Sequence, residues 1–158
     1  MITTLVRQFT TKCSVMNSGL FVDTSGWASF FTKTEPTHPQ SLQLMGIAHQ
    51  QNHEIITSNY VLAELVALLQ SPLRQPRSRI FAILNTIKTT PYIQILHITE
   101  ETDTAAWTLC QSRSDKPWSL VDCTSFVIMQ QFDIQQALTT DRHFEQAGFI
   151  RLLNSRRN

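Results

Sequence analysis

Short apolar runs rich in β-branched residues recur along the chain: "GLFVD" (19–23), "HEIITS" (53–58), "YIQILHI" (92–98), "QQALTT" (135–140) and "GFIRLL" (148–153). Each is brief and bounded by polar residues, the pattern of strands buried in a parallel sheet. The stretches between them have helical spacing. In "SNYVLAELVALLQ", Val61, Leu65, Leu68 and Leu69 make one apolar stripe, with Ser58 placed to cap the helix. "SRIFAILNTI" repeats Ile80, Phe81, Leu84 and Ile87, and "SLVDCTSFVIMQQF" repeats Leu120, Cys123, Val127 and Ile128. Pro72 and Pro76 break the chain between the first two of these helices. "TEETDTAAW" loads the first turn of another helix with acids, a placement the helix dipole explains without any chemistry.

Strand, helical connection, strand predicts an α/β domain whose parallel sheet is covered on both faces. In such sheets ligands bind in the crevice beyond the carboxyl ends of the strands. Asp23 ends the first strand pattern and Asp141 ends the fourth. The 158 residues fit one domain, and residues 19–153 carry the whole pattern, with no internal repeat or low-complexity linker. Residues 1–18 hold Arg7 and Lys12 but no acid and no continuous apolar stretch. They read as an extension, disordered or arising from a mis-set start codon, because Met16 stands just ahead of the first strand pattern. Residues 154–158 read as a basic tail.

Charge and cysteine content narrow the class. Lys plus Arg is 13 against 12 for Asp plus Glu, so the net charge of +1 does not announce a nucleic-acid partner. It does not exclude one, since a local basic patch can hide in a balanced total. Cys13, Cys110 and Cys123 are widely spaced and form no CxxC pair, which argues against a disulfide framework or a zinc site and fits a reducing cytoplasm. No apolar run approaches the ~18 residues that span a bilayer.

Four carboxylates stand apart. Asp23 follows three apolar residues to the rim of the sheet, where it either faces a ligand or caps the next helix. Glu64 lies among Val61, Leu65 and Leu68 at helical spacing, on a face expected to be buried. It needs a positive partner there, unless it reaches water from the edge of the stripe. Asp122 in "SLVD" fits a capping box with Ser119 as N-cap, and spacing alone does not separate that role from chemistry. Asp141 is equally ambiguous, because Thr140 or Asp141 can cap the helix that follows. Unit charges ~4 Å apart repel by roughly 4 kcal/mol at an effective dielectric of about 20. Four carboxylates on one rim therefore call for protons or a multivalent cation. Oxygen ligation suits Mg²⁺ or Mn²⁺, and such a site fits hydrolysis of a phosphodiester.

"FVDTSGW", "TSNYVLAEL", "DKPWSLVDCTSFVIM" and "ALTTDRHFEQAGF" resemble the PIN-domain ribonucleases, and among them the VapC-like toxins of bacterial toxin–antitoxin pairs. The similarity spans residues 20 to 153. It implies a three-layer α/β/α fold with a five-stranded parallel sheet of order 3-2-1-4-5, and an endoribonuclease dependent on Mg²⁺ or Mn²⁺. An RNA substrate, a cognate antitoxin, a homodimer and a cytoplasmic location are implied with it. By motif, Asp23, Glu64, Asp122 and Asp141 match the family's metal-binding acids, and Ser25, Ser119 and Thr140 match supporting hydroxyl positions. The chain departs from the family in its N-terminal extension, because related toxins begin within a few residues of the first strand.

Weaker signals remain. Arg113, Lys116 and Arg142 flank the acidic positions in sequence and can contact an RNA backbone, which positions a strand without reading bases. Arg74, Arg77 and Arg79 read equally well as a solvated face. His49 and His53 are spaced i,i+4, but the Glu of HExxH is absent, so a polar helix end is the better account. His143 beside Asp141 reads as a surface residue able to touch phosphate. An aspartyl phosphatase would need a second Asp two residues after Asp23, where this chain has Ser25. A receiver domain would need an adjacent acid pair near the first strand. The alternative from another class is a catalytically inactive PIN fold that binds RNA or assembles with partners.

Overall fold

The computed structural model describes residues 19–154, so the expectations for 1–18 and for 155–158 lie outside the described residues. Five strands alternate with seven helices: β1 Leu20–Val22, α1 Thr24–Phe31, α2 His38–Gln50, β2 Ile55–Ser58, α3 Asn59–Gln70 and α4 Arg77–Thr89 come first. Then follow β3 Ile93–Leu96, α5 Glu100–Ser112, α6 Leu120–Gln131, β4 Gln136–Leu138, α7 Arg142–Gln146 and β5 Ile150–Arg151. All neighbouring strands pair in parallel, in the order β3-β2-β1-β4-β5. The chain moves one way across the sheet from β1 to β3, then jumps to the far side of β1. Right-handed crossovers consequently put α1–α4 on one face and α5–α7 on the other. The result is a three-layer α/β/α fold.

Each strand is shorter than its apolar run, because the ladder stops where the chain turns into the next helix. Val22 is in register with Leu138 on the adjacent strand. The residues that follow, Asp23 and Thr139, therefore leave the sheet side by side. This is the switch point, where crossovers depart in opposite directions and a crevice opens.

The core follows the pattern closely in the centre and less so at the edges. Phe21, Val22, Ile55, Ile56, Ala137 and Leu138 are buried, as strands covered on both faces require. On α3 the buried residues are Val61, Leu62, Leu65 and Leu69, while Leu68 is only half-buried. On α4 they are Ile80, Ile83, Leu84 and Ile87, and Phe81 does not belong to the stripe: it is 49% exposed. Ile83 completes the i, i+3, i+4, i+7 set, which turns Phe81 away from the sheet, where the Arg77 guanidinium sits 4.9 Å from its ring centre. The α6 stripe is also too narrow a reading, since every residue from Cys123 to Met129 is buried. Phe126 packs on Trp118, Phe144 and Phe149, which come from the chain before α6, from α7 and from the segment before β5. Cys110 and Cys123 are free thiols, and Cys13 lies outside the described residues. No helix among the described residues is long and apolar enough to cross a membrane.

Two contacts fix the first turn of α1 over the switch point. Trp27 is fully buried and donates its indole N–H to Thr57 Oγ1 at 3.1 Å, and Thr57 in turn donates to the Val22 carbonyl at 2.8 Å. Gly26 lies so close to β4 that a Cβ there would run into the Leu138 carbonyl. Only glycine permits this approach.

Candidate active site

Asp23 occupies the N-cap position of α1, yet its side chain makes no capping hydrogen bond. It turns inward instead and is only 6% exposed. Thr139 Oγ1 donates to Asp23 Oδ2 at 3.0 Å and accepts from the Asp141 backbone N–H at 3.0 Å. Ser25 Oγ lies 3.0 Å from Thr139 Oγ1 and 3.4 Å from Asp23 Oδ2, and it accepts from the Thr140 backbone N–H at 3.0 Å. A hydroxyl has one proton. With Thr139 committed to Asp23, Ser25 donates to Thr139, the nearer of its two acceptors. One connected network thus joins the loops after β1 and β4, and Arg151 extends it by donating to the Thr140 carbonyl at 3.0 Å.

Asp122 and Asp141 both cap helices while facing the same groove. Ser119 and Asp122 form the reciprocal capping box: Ser119 N–H donates to Asp122 Oδ2 at 2.9 Å, and Asp122 N–H to Ser119 Oγ at 3.0 Å. Asp141 Oδ1 accepts from the His143 backbone N–H at 2.9 Å at the start of α7. Between the two carboxylates lies the His143 ring, its Nδ1 3.0 Å from Asp122 Oδ2 and 3.4 Å from Asp141 Oδ2.

Glu64 corrects a reading of the helical pattern. It is exposed, at the edge of the α3 stripe, and reaches the groove from the solvent side. Its partner is a neutral hydroxyl, not a cation: Thr24 Oγ1 donates to Glu64 Oε2 at 2.6 Å. The edge position lets the carboxylate keep water while its oxygen is aimed by α1.

The groove, of about 350 Å³, is lined by Asp23, Thr24, Ser25, Glu64, Leu68, Asp122, Thr140 and Asp141. The structure thus brings together the four acids, Ser25 and Thr140, and Ser119 acts behind Asp122. Arg113, Lys116 and Arg142 do not line it. Arg113 pairs with Asp115 at 2.9 Å and lies over the Trp118 ring, and Lys116 is 4.0 Å from the same Asp115. Arg142 is exposed beside Asp141. Thr24 and Thr139 were not among the sequence candidates, although each orients one carboxylate. The adjacency of "TT" to Asp141 and of Thr24 to Asp23 was the only signal, and threonine is too common in this chain for that to select them.

Among the described residues, no Lys or Arg lies within ion-pair distance of any of the four acids. Burial is the main reason Asp23 is raised from 3.8 to about 7, opposed by hydrogen bonds from the Thr24 backbone and Thr139 and reinforced by the charges of Glu64 and Asp122. The donor set around the groove is carboxylate oxygen with one imidazole nitrogen nearby, and Asp122, Asp141 and His143 hold ligand-type atoms within 4.8 Å of one another. Such a set fits Mg²⁺ or Mn²⁺.

Comparison with known proteins agrees with this geometry. The PIN domain model matches residues 20–150. The chain belongs to the PIN-domain family. Over 131 residues it is 30% identical to the 23S rRNA-specific endonuclease VapC20 of two Mycobacterium tuberculosis strains, an alignment covering 83% of this chain and 95% of the relative. The crystal structure of M. tuberculosis VapC20, described as a Sarcin-Ricin loop cleaving toxin, superposes with a TM-score of 0.74 at 27% identity, over 86% of this chain and all of that one. FitAcB from Neisseria gonorrhoeae shares the fold, with a TM-score of 0.59 at 13% identity over 86% of this chain and 97% of its own.

Proposed function

We propose that this PIN domain is an endoribonuclease that hydrolyses RNA phosphodiester bonds with Mg²⁺ or Mn²⁺ held by Asp23, Glu64, Asp122 and Asp141, and that it is the toxin of a toxin–antitoxin pair. The observation that carries the reading is four carboxylates, from four different segments, around one groove with no Lys or Arg paired to them among the described residues. A bound divalent cation supplies an activated water and stabilises charge on the phosphate and the leaving oxygen. The protein's part is orientation. Thr139 holds Asp23, Thr24 holds Glu64, and the caps at Ser119 and Asp141 fix the other two carboxylates. Arg142, exposed at the edge of the groove, is the residue best placed to meet the RNA backbone; Arg113 and Lys116 would have to leave Asp115 to do so.

The likeness to VapC20 makes a structured ribosomal RNA loop the substrate class to test first. It also supports a cognate antitoxin as partner, and the family resemblance adds a homodimer in the cytoplasm. The experiment is cleavage of an RNA containing such a loop. Purified protein should cut it internally with Mn²⁺ or Mg²⁺, spare it in EDTA, and lose activity on the order of 100-fold in Asp141→Asn. Binding without cleavage across several metals and RNAs would replace the enzyme with an RNA-binding module.

A further inference from the structure

We infer that His143 is a positioning residue of the metal site: its Nδ1 fixes the carboxylate of Asp122 while its backbone N–H holds that of Asp141, and it is not itself a ligand. The inference rests on the metal-site reading above. His143 reaches both acids, which belong to different elements. Its backbone N–H holds Asp141 Oδ1 at 2.9 Å, and its Nδ1 lies 3.0 Å from Asp122 Oδ2 and 3.4 Å from Asp141 Oδ2. Ionised carboxylates only accept hydrogen bonds, so the ring nitrogen between them is the one that carries a proton. Nδ1, donating to a carboxylate, has no lone pair left for a cation, and Nε2, whose lone pair diverges from Nδ1 across the ring, points away from the oxygens that Nδ1 faces.

The Asp122 oxygen it engages is already committed. Asp122 Oδ2 accepts from the Ser119 N–H as part of the α6 cap, and His143 adds a second donor to the same oxygen. Two donors on one oxygen fix the carboxylate's rotation and leave Oδ1 as the free atom. Without the ring, Asp122 and Asp141 would face each other as like charges with no bridge. Hydrogen-bonded partners of metal-ligating groups typically contribute 10- to 100-fold in metal affinity.

The test is Mn²⁺ binding to the full chain, followed by loss of the free-ion electron paramagnetic resonance signal, for wild type, His143→Ala and His143→Asn. Asparagine returns a neutral N–H donor close to the position of Nδ1 but no imidazole. Affinity should fall about 10- to 100-fold in His143→Ala and stay within about 3-fold of wild type in His143→Asn. Spin-echo spectra of the wild-type Mn²⁺ complex should lack the coupling of a directly bound imidazole nitrogen. Wild-type affinity in the alanine variant, no rescue by asparagine, or a directly bound nitrogen would each overturn the assignment while leaving the four-carboxylate site standing. Failure of the wild type to bind Mn²⁺ at all would remove both.

Discussion

The two ends of the sheet carry depressions of nearly equal size, about 350 Å³ beyond the carboxyl ends of the strands and about 330 Å³ at the amino ends. Both are polar. The lower one is lined by His49, Asn52, His53, Glu54, Pro91, Tyr92 and Gln94, residue types that look more suggestive of chemistry than a row of acids. Yet the His49 ring packs against Tyr92, 4.2 Å between centres, and among the described residues no hydrogen bond joins the polar side chains of that depression. At the carboxyl end every acid is held by a named donor. The helices explain part of the contrast: α1, α3, α6 and α7 begin at the carboxyl end, where their partial positive charge favours anions. α2 and α4 end at the other. A depression becomes a site when buried hydroxyls and helix starts orient what lines it; volume alone says little.

The largest effect that separates the two ends concerns Asp23. In metal-free protein its carboxyl is raised from 3.8 to about 7, chiefly by burial, so the folded state keeps a proton that the unfolded chain has lost. Folding stability in EDTA should therefore fall as pH rises from about 4 to about 7 and level off above, by on the order of 4 kcal/mol. Asp23→Asn should flatten that slope and be the more stable protein at pH 8, as measured by urea unfolding. Glu54→Gln at the amino end should leave the slope in place. A wild-type profile that rises over this range would mean that Asp23 is not desolvated.

A smaller effect is expected from the network. Thr139→Val keeps the shape but strands the Asp141 N–H and leaves Asp23 Oδ2 only the longer contact from Ser25 Oγ, and should cost roughly 1–3 kcal/mol in stability and weaken cleavage. Tyr92→Ala, which removes a larger side chain from the amino-end depression, should leave cleavage unchanged. If the two variants behaved alike in cleavage, the hydroxyl network would have no functional share.

Much of this site was legible in the sequence. A buried strand pattern that ends on a charge, as at Val22–Asp23, marks the rim of the sheet, and motif likeness gathered the other acids. Burial was harder to read. Glu64 occupies the helical angle of the apolar stripe but lies at its edge, where α1 ends its cover and water begins. The spacing of α4 misplaces Phe81 because one residue of phase decides between core and solvent. Thr24 and Thr139 were invisible for a different reason. Their importance comes from cross-strand register, which sets residues from opposite ends of the chain side by side and leaves no local trace. His143 reads as a surface residue because nothing in "TTDRHF" says that α7 starts beside α6.

The central claim is that the carboxyl end of the sheet is a divalent-cation site and the amino end is not. Crystals of the protein soaked in Mn²⁺, with diffraction recorded near the manganese absorption edge, test it directly. The account predicts an anomalous peak among Asp23, Glu64, Asp122 and Asp141, and none beside His49 and His53. A peak at the histidines, or no peak among the four acids at millimolar Mn²⁺, would contradict it.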